Sequence, residues 1–240
     1  ADGTYSNSRH PDDIVYETNI YNDLKRRDFT VNAMAFNPIS DVFIDDFNGI
    51  NDLDAKQLCV VGDPEKRFTE DSLRLFRACR FVAQLDFDLA ADTYSAMQNL
   101  ADQFVLPSKE RIHHELSALL QASYPHKGLV ALKTTGLGKR LFSRFNDISD
   151  TAFKYIEKMD LSIRWPFLLQ YLDLEEAFES LFFSKKEQRF ITQLIHHNFD
   201  QAKASFTIKD LVVTGKDIQA LGFSGKKIGE IQQYLFDRVI

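Results

Sequence analysis

The fold is decided by the stretch that covers residues 63–85, DPEKRFTEDSLRLFRACRFVAQL. Within it the apolar residues Leu75, Cys79 and Val82 recur at helical spacing, behind Thr69, which we predict to cap the helix. Before this stretch, short runs rich in β-branched and aromatic residues predict strands, whereas every apolar pattern after it is helical. The change predicts an α+β chain, with a mixed sheet first and an all-helical remainder.

Runs of β-branched and aromatic residues, and apolar residues at helical spacing, also predict strands and helices on either side of this stretch. Candidate strands cover residues 14–18, 29–36, 42–44 and 58–61. Candidate helices cover residues 69–85, 90–104, 108–122, 127–135, 150–159, 161–182, 185–198, 207–221 and 225–239. The Gly62-Asp-Pro64 turn is where we place the boundary between the strand-rich and the helical parts.

Composition excludes several classes of protein. Of the 240 residues, 44% are hydrophobic and 27% are charged, which is ordinary for a soluble globular chain and argues against disorder. No window approaches the roughly 18 consecutive apolar residues of a membrane-spanning helix, so we expect no membrane partner. Cys59 and Cys79 are too few for a disulfide framework, which predicts a reducing, cytoplasmic compartment.

A first polar cluster occupies residues 25–32, KRRDFTVN, where three adjacent cations precede a predicted strand. Guanidinium groups of Arg26 and Arg27 suit phosphate oxygens, whereas the carboxylate of Asp28 and the amide of Asn32 suit ribose hydroxyls. A solvated basic turn that leads into an edge strand explains the same spacing equally well.

A second cluster occupies residues 70–77, EDSLRLFR. Asp71 and Arg74 stand at i and i+3 and are predicted to share one helix face, which Arg77 continues. Cytosine and adenine both present an amine donor beside a ring-nitrogen acceptor, so a carboxylate next to a guanidinium is complementary to either base. Uracil and guanine would leave those groups unpaired. The alternative is a surface ion pair without a binding role.

In this order and at this separation, the clusters resemble motifs of the class II tRNA nucleotidyltransferases, the family of the CCA-adding enzymes and bacterial poly(A) polymerases. Residues 26–35 match its nucleotide-sugar motif RRDxxxN, and residues 70–74 match its base-reading motif EDxxR. Further similarities are to its mobile head loop (2–11), its hinge (45–49 with Asp52), its brace for the base-reading helix (110–115) and its tail (214–217 and 225–229).

The resemblance implies a fold, an activity and a role for each residue. It implies a partial nucleotidyltransferase head in residues 1–62, a neck with the base-reading helix in 63–122, and a helical body and tail in 123–240 that bind the tRNA acceptor arm. The activity is transfer of CMP and AMP from CTP and ATP to the tRNA 3′ end, without a template. The implied nucleotide-binding residues are Arg26 and Arg27 on the triphosphate or its surroundings, Asp28 and Asn32 on the ribose, Asp71 and Arg74 on the base, and Arg77 in support.

One departure from the family concerns the metal site. The Gly-Gly turn and Asp-x-Asp pair that hold magnesium in this family do not occur in the chain, and neither Asp45-Asp46 nor Asp52-x-Asp54 replaces them. We therefore assign no catalytic residue and no metal ligand here, expect the Mg²⁺ ligands upstream, and expect the chain as given to be an incomplete, inactive fragment. A poly(A) polymerase, a CC-adding or A-adding enzyme, and a non-catalytic RNA-binding helical module are the alternatives.

Charge is unevenly distributed along a chain whose net charge is −6. Residues 127–144 hold five basic and no acidic residues. The candidates for contact with RNA phosphates are Lys139, Arg140 and Arg144 in that segment, and Lys226 and Lys227 beside a glycine at a predicted helix N-terminus. A solvated basic face accounts for the same residues equally well.

Overall fold

The computed structural model describes residues 19–196 and 213–239. The predicted strand at 14–18, the loop at 2–11 and the part of the predicted helix at 207–212 lie outside these residues. The chain divides into two compact units between Arg140 and Leu141. Within the described ranges, no helix combines the length and the apolar character needed to cross a membrane.

The first unit combines short strands with helices. Its elements are α1 (Ile20–Lys25), a 3-10 helix (Thr30–Asn32), β1 (Ala35–Asn37), β2 (Val42–Ile44), α2 (Gly49–Asp54), β3 (Gln57–Leu58), α3 (Pro64–Glu70), α4 (Leu73–Leu85), β4 (Asp88–Leu89), α5 (Ala91–Leu100), α6 (Lys109–Gln121), α7 (Pro125–Thr134) and α8 (Leu137–Leu141), which ends just past the division. Strands β1 and β2 pair antiparallel, and β3 and β4 pair parallel. These elements confirm the α+β class, although each sheet formed by the described residues has two strands.

The predicted strand at 29–36 is wrong over residues 30–34. Phe29 forms an isolated bridge with Val60, after which residues 30–32 turn into the 3-10 helix. Polar side chains explain the difference, because Asp28 accepts a hydrogen bond from the Phe29 N–H at 2.9 Å and the Thr30 hydroxyl donates to Asp52 at 2.6 Å. Such side-chain bonds compete with a strand ladder, so regular pairing begins only at Ala35.

The predicted helix at 69–85 is interrupted at Asp71. Thr69 is not the cap, since it lies in the last turn of α3 and its hydroxyl donates to the Glu65 carbonyl at 2.8 Å. Asp71 has extended backbone angles, and its carboxylate accepts from the Leu73 N–H at 3.1 Å. An aspartate that satisfies a free N–H at a helix start favours a new helix there. A corner between α3 and α4 therefore replaces a continuous helix.

The core of this unit is built around α4. Its buried face packs against α6 and α7, and the largest buried side chains include Phe29, Phe68 and Phe76. Gly128 lies where α7 crosses α4, and a Cβ atom at this position would stand 2.6 Å from the Cys79 carbonyl oxygen. This close approach fixes α4, and with it the second polar cluster, against the rest of the unit.

The second unit is helical. It contains a 3-10 turn (Phe145–Asp147), α9 (Asp150–Ile156), α10 (Leu161–Leu169), α11 (Leu174–Ser180), α12 (Lys185–His196), α13 (Gly215–Ala220) and α14 (Lys226–Val239). The predicted helix at 161–182 is wrong, because the chain forms two helices, α10 and α11, in place of one. The Asp173 carboxylate accepts a hydrogen bond from the Glu176 N–H at 2.9 Å and so caps the start of α11. Phe142, Phe145 and Phe153 are fully buried and pack ring against ring.

Candidate functional site

The structure brings the two polar clusters together at one cavity in the first unit. This cavity has a volume of about 380 Å³ and is lined by Arg27, Asp28, Asn32, Asp71, Arg74 and Arg77. These are six of the seven residues predicted to bind nucleotide. The seventh, Arg26, is not among the lining residues, and its guanidinium pairs with Asp23 in α1. The tertiary structure thus builds this cavity from two segments, one in each polar cluster, that lie about 40 residues apart in sequence.

Arg77 joins the first cluster to the second. Its guanidinium donates to Oδ2 of Asp28 from Nε at 2.8 Å and from Nη2 at 2.6 Å. Oδ1 of Asp28 accepts from the Asn32 amide at 3.3 Å, and the Asp28 side chain is only 10% exposed. Asp28, Asn32 and Arg77 therefore form one hydrogen-bonded group, in which the orientation of each side chain depends on the others.

Asp71 and Arg74 border the cavity in a different way from the one predicted. Asp71 precedes α4 rather than sharing a helix face with Arg74, and its carboxylate pairs with Arg111 at 3.3 Å. Arg74 instead donates from Nη1 to the Arg67 carbonyl at 2.7 Å and to Glu70 at 3.2 Å. The side chains of Asp71 and Arg74 therefore pair with other residues and not with each other. The Asp71–Arg74 ion pair, which was the alternative to base reading, is not formed by these described residues.

Glu115 supports α4 from α6. Its side chain is 6% exposed, and its two carboxylate oxygens lie 2.5 Å from Nε of Arg80 and 3.6 Å from Nη1 of Arg77. The Arg80 guanidinium also lies 4.2 Å from the centre of the Phe81 ring. Glu115, in the segment 110–115 that is expected to act as a brace, thus contacts α4 and reaches Arg77, which lines the cavity.

Charge at the cavity is mixed, with three guanidinium groups and two carboxylates among the lining residues. Beside them lies Glu70, whose pKa is held below its ordinary value. Burial pushes this pKa upward, but hydrogen bonding from Arg74 and the charge of Arg67 outweigh it. Glu70 is thus negative at neutral pH, which keeps it paired with both arginines.

Two residues at this site were not predicted from the sequence, Arg67 and Arg111. Arg67 donates to the main-chain carbonyls of Arg26 and Arg27, and Arg111 pairs with Asp71. A signal for Arg67 exists in its i, i+3 spacing to Glu70, which is typical of a helical ion pair. The spacing does not indicate the carbonyl contacts, which depend on the fold.

The aspartates considered as substitutes for the metal ligands have structural partners. Asp45 accepts from the backbone N–H groups of Gly49 and Ile50 at the start of α2, and Asp52 accepts from Thr30. Among residues 19–196 and 213–239, no cluster of three His, Cys, Asp or Glu side chains could hold a metal ion. The carboxylates of Asp45 and Asp52 are thus hydrogen-bonded to groups of the fold itself.

The residues predicted to contact RNA lie at the surface. All five are exposed: Lys139, Arg140, Arg144, Lys226 and Lys227. Arg140 stands 5.7 Å from the centre of the Phe104 ring, and Arg144 pairs with Asp147 at 3.7 Å. Lys226 and Lys227 begin α14. Exposure makes these cations accessible to phosphates, as the prediction requires.

Comparison with known proteins gives the same family. Residues 1–59 match the family model described as "Poly A polymerase head domain", and residues 86–148 match "Probable RNA and SrmB- binding site of polymerase A". The CCA-adding enzyme of Levilactobacillus brevis is 43% identical over 137 residues, which are 57% of this chain and 34% of the relative. The chain thus spans about a third of that relative's length.

Longer matches extend over most of the chain. The CCA-adding enzyme of Bacillus pumilus is 32% identical over 283 aligned positions, which cover 96% of this chain and 70% of the relative. The solved structure of the Thermotoga maritima CCA-adding enzyme complexed with tRNA shares the fold, with a TM-score of 0.53, 24% identity, and coverage of 90% of this chain and 60% of that one. The resemblance read from the motifs is confirmed, and the chain belongs to the family of the CCA-adding enzymes.

Proposed function

We propose that this chain supplies the nucleotide-selecting part of an enzyme that transfers CMP and AMP from CTP and ATP to the 3′ end of tRNA without a template, and that the 240 residues alone do not catalyse the transfer. In that reaction the RNA 3′ oxygen forms a bond to the α-phosphorus while the bond to pyrophosphate breaks. The observation that carries the proposal is the single cavity lined by both nucleotide motifs. Its roughly 380 Å³ lies within the range of small-molecule sites, about 300 to 1,000 Å³.

The first cluster suits the sugar and phosphates. We assign Arg27 to the triphosphate, because an exposed guanidinium presents paired N–H donors to phosphate oxygens. We assign Asp28 and Asn32 to the ribose. Arg77 acts in support, since its bonds to Asp28 fix the orientation of that carboxylate. Arg26, which pairs with Asp23, contributes to the surroundings of the triphosphate.

The second cluster suits the pairing edge of the base. We assign the Asp71 carboxylate to the exocyclic amine and the Arg74 guanidinium to the ring nitrogen of cytosine or adenine. Each side chain is held by a different partner, Arg111 for Asp71 and Glu70 for Arg74. The partners leave both groups at the cavity, so that a base able to bond with both is favoured over uracil or guanine.

The test is nucleotide binding by the 240-residue chain, measured by titration calorimetry with CTP, ATP, UTP and GTP. We expect CTP and ATP to compete for one site and to bind more tightly than UTP and GTP. Arg27→Glu should weaken both, because it places a carboxylate against the triphosphate. Lys56→Glu, an exposed change elsewhere in the same unit, is the matched control. Equal affinity for all four nucleotides would contradict the assignment of base reading.

A poly(A) polymerase remains the second candidate, because the matching head family carries that description and the pairing-edge argument admits adenine alone. The same titration separates the two functions. Tight binding of ATP, together with CTP affinity no higher than UTP affinity, would favour poly(A) addition. Comparable binding of CTP and ATP favours CCA addition.

For RNA binding, we expect a steep loss of affinity with salt, since each contacted phosphate on a duplex contributes a slope of roughly 0.9 in log–log form. Changing Lys139, Arg140 and Arg144 together to Gln should flatten the slope, whereas changing exposed Lys154 and Lys158 should not. The measurement is filter binding of tRNA between about 50 and 200 mM salt. An unchanged slope in the triple variant would identify this segment as a solvated face.

A further inference from the structure

Arg67 contacts both sides of the nucleotide cavity without being among the residues that line it. Its side chain is only 12% exposed. From within α3, Nη2 donates to the main-chain carbonyls of Arg26 and Arg27, the latter at 2.6 Å. These carbonyls immediately precede Asp28, so the guanidinium fixes the turn from which Arg27 and Asp28 project.

The same residue also orients Arg74. The Arg67 carbonyl accepts from Nη1 of Arg74 at 2.7 Å, and Glu70 accepts from both arginines. Arg67 thus links the side that carries the ribose-binding and phosphate-binding groups to the side that carries a base-reading group. The contacts of Arg67 with the carbonyls of Arg26 and Arg27 span 41 and 40 residues of sequence. Its contact with Arg74 spans seven.

We propose that Arg67 is a positioning residue for nucleotide recognition, which sets the distance between the ribose-binding turn and the base-reading arginine. The planar guanidinium suits this role, because its donors point in fixed directions toward two carbonyls and a carboxylate at once. A lysine ammonium in its place keeps the charge opposite Glu70 but does not fix the plane. The inference rests on the nucleotide-binding role proposed above.

Substitution of a positioning residue weakens nucleotide binding while the fold is kept, whereas substitution of a purely structural residue lowers the stability of the fold. Methionine fills a similar volume, and replacing a buried charged group by an apolar one of similar size is often tolerated. Arg67→Met should therefore keep the fold but release the turn, and it should leave Glu70 to hold Arg74 without its second arginine. Because one well-oriented hydrogen bond to a charged group contributes about tenfold to affinity, and the released turn carries Arg27 and Asp28, we expect CTP and ATP affinity to fall about tenfold.

The experiment compares Arg67→Met, Arg67→Lys and Arg164→Met by thermal unfolding and by titration with CTP and UTP. Arg164 is the matched control in the second unit, because it is also buried and donates to main-chain carbonyls, those of Met159 and Glu157. We expect Arg67→Met to lose CTP affinity and part of the CTP-over-UTP preference, Arg67→Lys to be intermediate, and Arg164→Met to bind both nucleotides as wild type does.

The outcomes separate the two proposals. If wild-type protein binds no nucleotide, the proposed function fails and this inference fails with it. If wild type binds CTP selectively and Arg67→Met binds it within twofold of wild type, only the positioning role is overturned. Should Arg67→Met not fold, Arg67→Lys replaces it, and wild-type affinity and preference in that variant overturn the proposal.

Discussion

Replacement of Asp71 by alanine is expected to relax discrimination against UTP and GTP by about one to two decades in relative affinity. The carboxylate is the proposed acceptor for the amine of cytosine or adenine, and one well-oriented bidentate contact contributes roughly 1 to 3 kcal/mol of discrimination. Arg74→Ala should act in the same direction, because it removes the donor to the ring nitrogen. The measurement is the dissociation constant of each of the four nucleotides.

Asp71 also accepts a hydrogen bond from the Leu73 N–H at the start of α4, so that loss of stability must be separated from loss of recognition. Asp71→Asn is the matched variant, since asparagine caps helices about as well as aspartate but presents an amide to the base. We expect its unfolding free energy to stay close to wild type while selectivity falls. Asp28→Ala serves as the comparison, because it should weaken binding of all four nucleotides alike. Equal losses for all four in the Asp71 and Arg74 variants would rule out base reading.

Replacement of Glu115 by alanine is expected to cost about 3 kcal/mol of unfolding free energy. Removing one member of a buried ion pair leaves its partner charged and unpaired, which typically costs about 3 to 5 kcal/mol. Here the carboxylate is almost wholly buried, and Arg80 beside it is 13% exposed. We use the low end because Arg77, the other partner, retains Asp28. Urea denaturation measures the loss.

Controls for Glu115 lie on the same helix. Gln121→Ala, an exposed change at the end of α6, should change stability by no more than about 0.5 kcal/mol. Glu115→Gln keeps the volume and an acceptor, so its loss should lie between those of the other two variants. A Glu115→Ala protein that loses less than about 1 kcal/mol would show that Arg80 finds other partners, and that the brace contributes little.

Local pattern was sufficient to predict which residues line the cavity but not its geometry. The two clusters were recognisable because each places its charged groups within one or two turns of chain, and the cavity contains six of the seven residues assigned from them. The predicted sharing of a helix face by Asp71 and Arg74 failed. Helical spacing of side chains does not reveal where a helix is interrupted, because the interruption at Asp71 depends on a hydrogen bond from the Leu73 N–H to the Asp71 side chain.

The sequence by itself determined the α+β class, the position of most helices, and the kind of ligand that the clusters suit, because periodicity and charge spacing are local properties. Only the tertiary structure decided which partner holds each charged group. Arg77 reaches Asp28 across 49 residues, Arg80 reaches Glu115 across 35, and Arg67 reaches the Arg26 carbonyl across 41. Packing of α4 against α6 brings Arg80 to Glu115, and a guanidinium that is largely withdrawn from water needs acceptors close to it, which only the folded chain supplies.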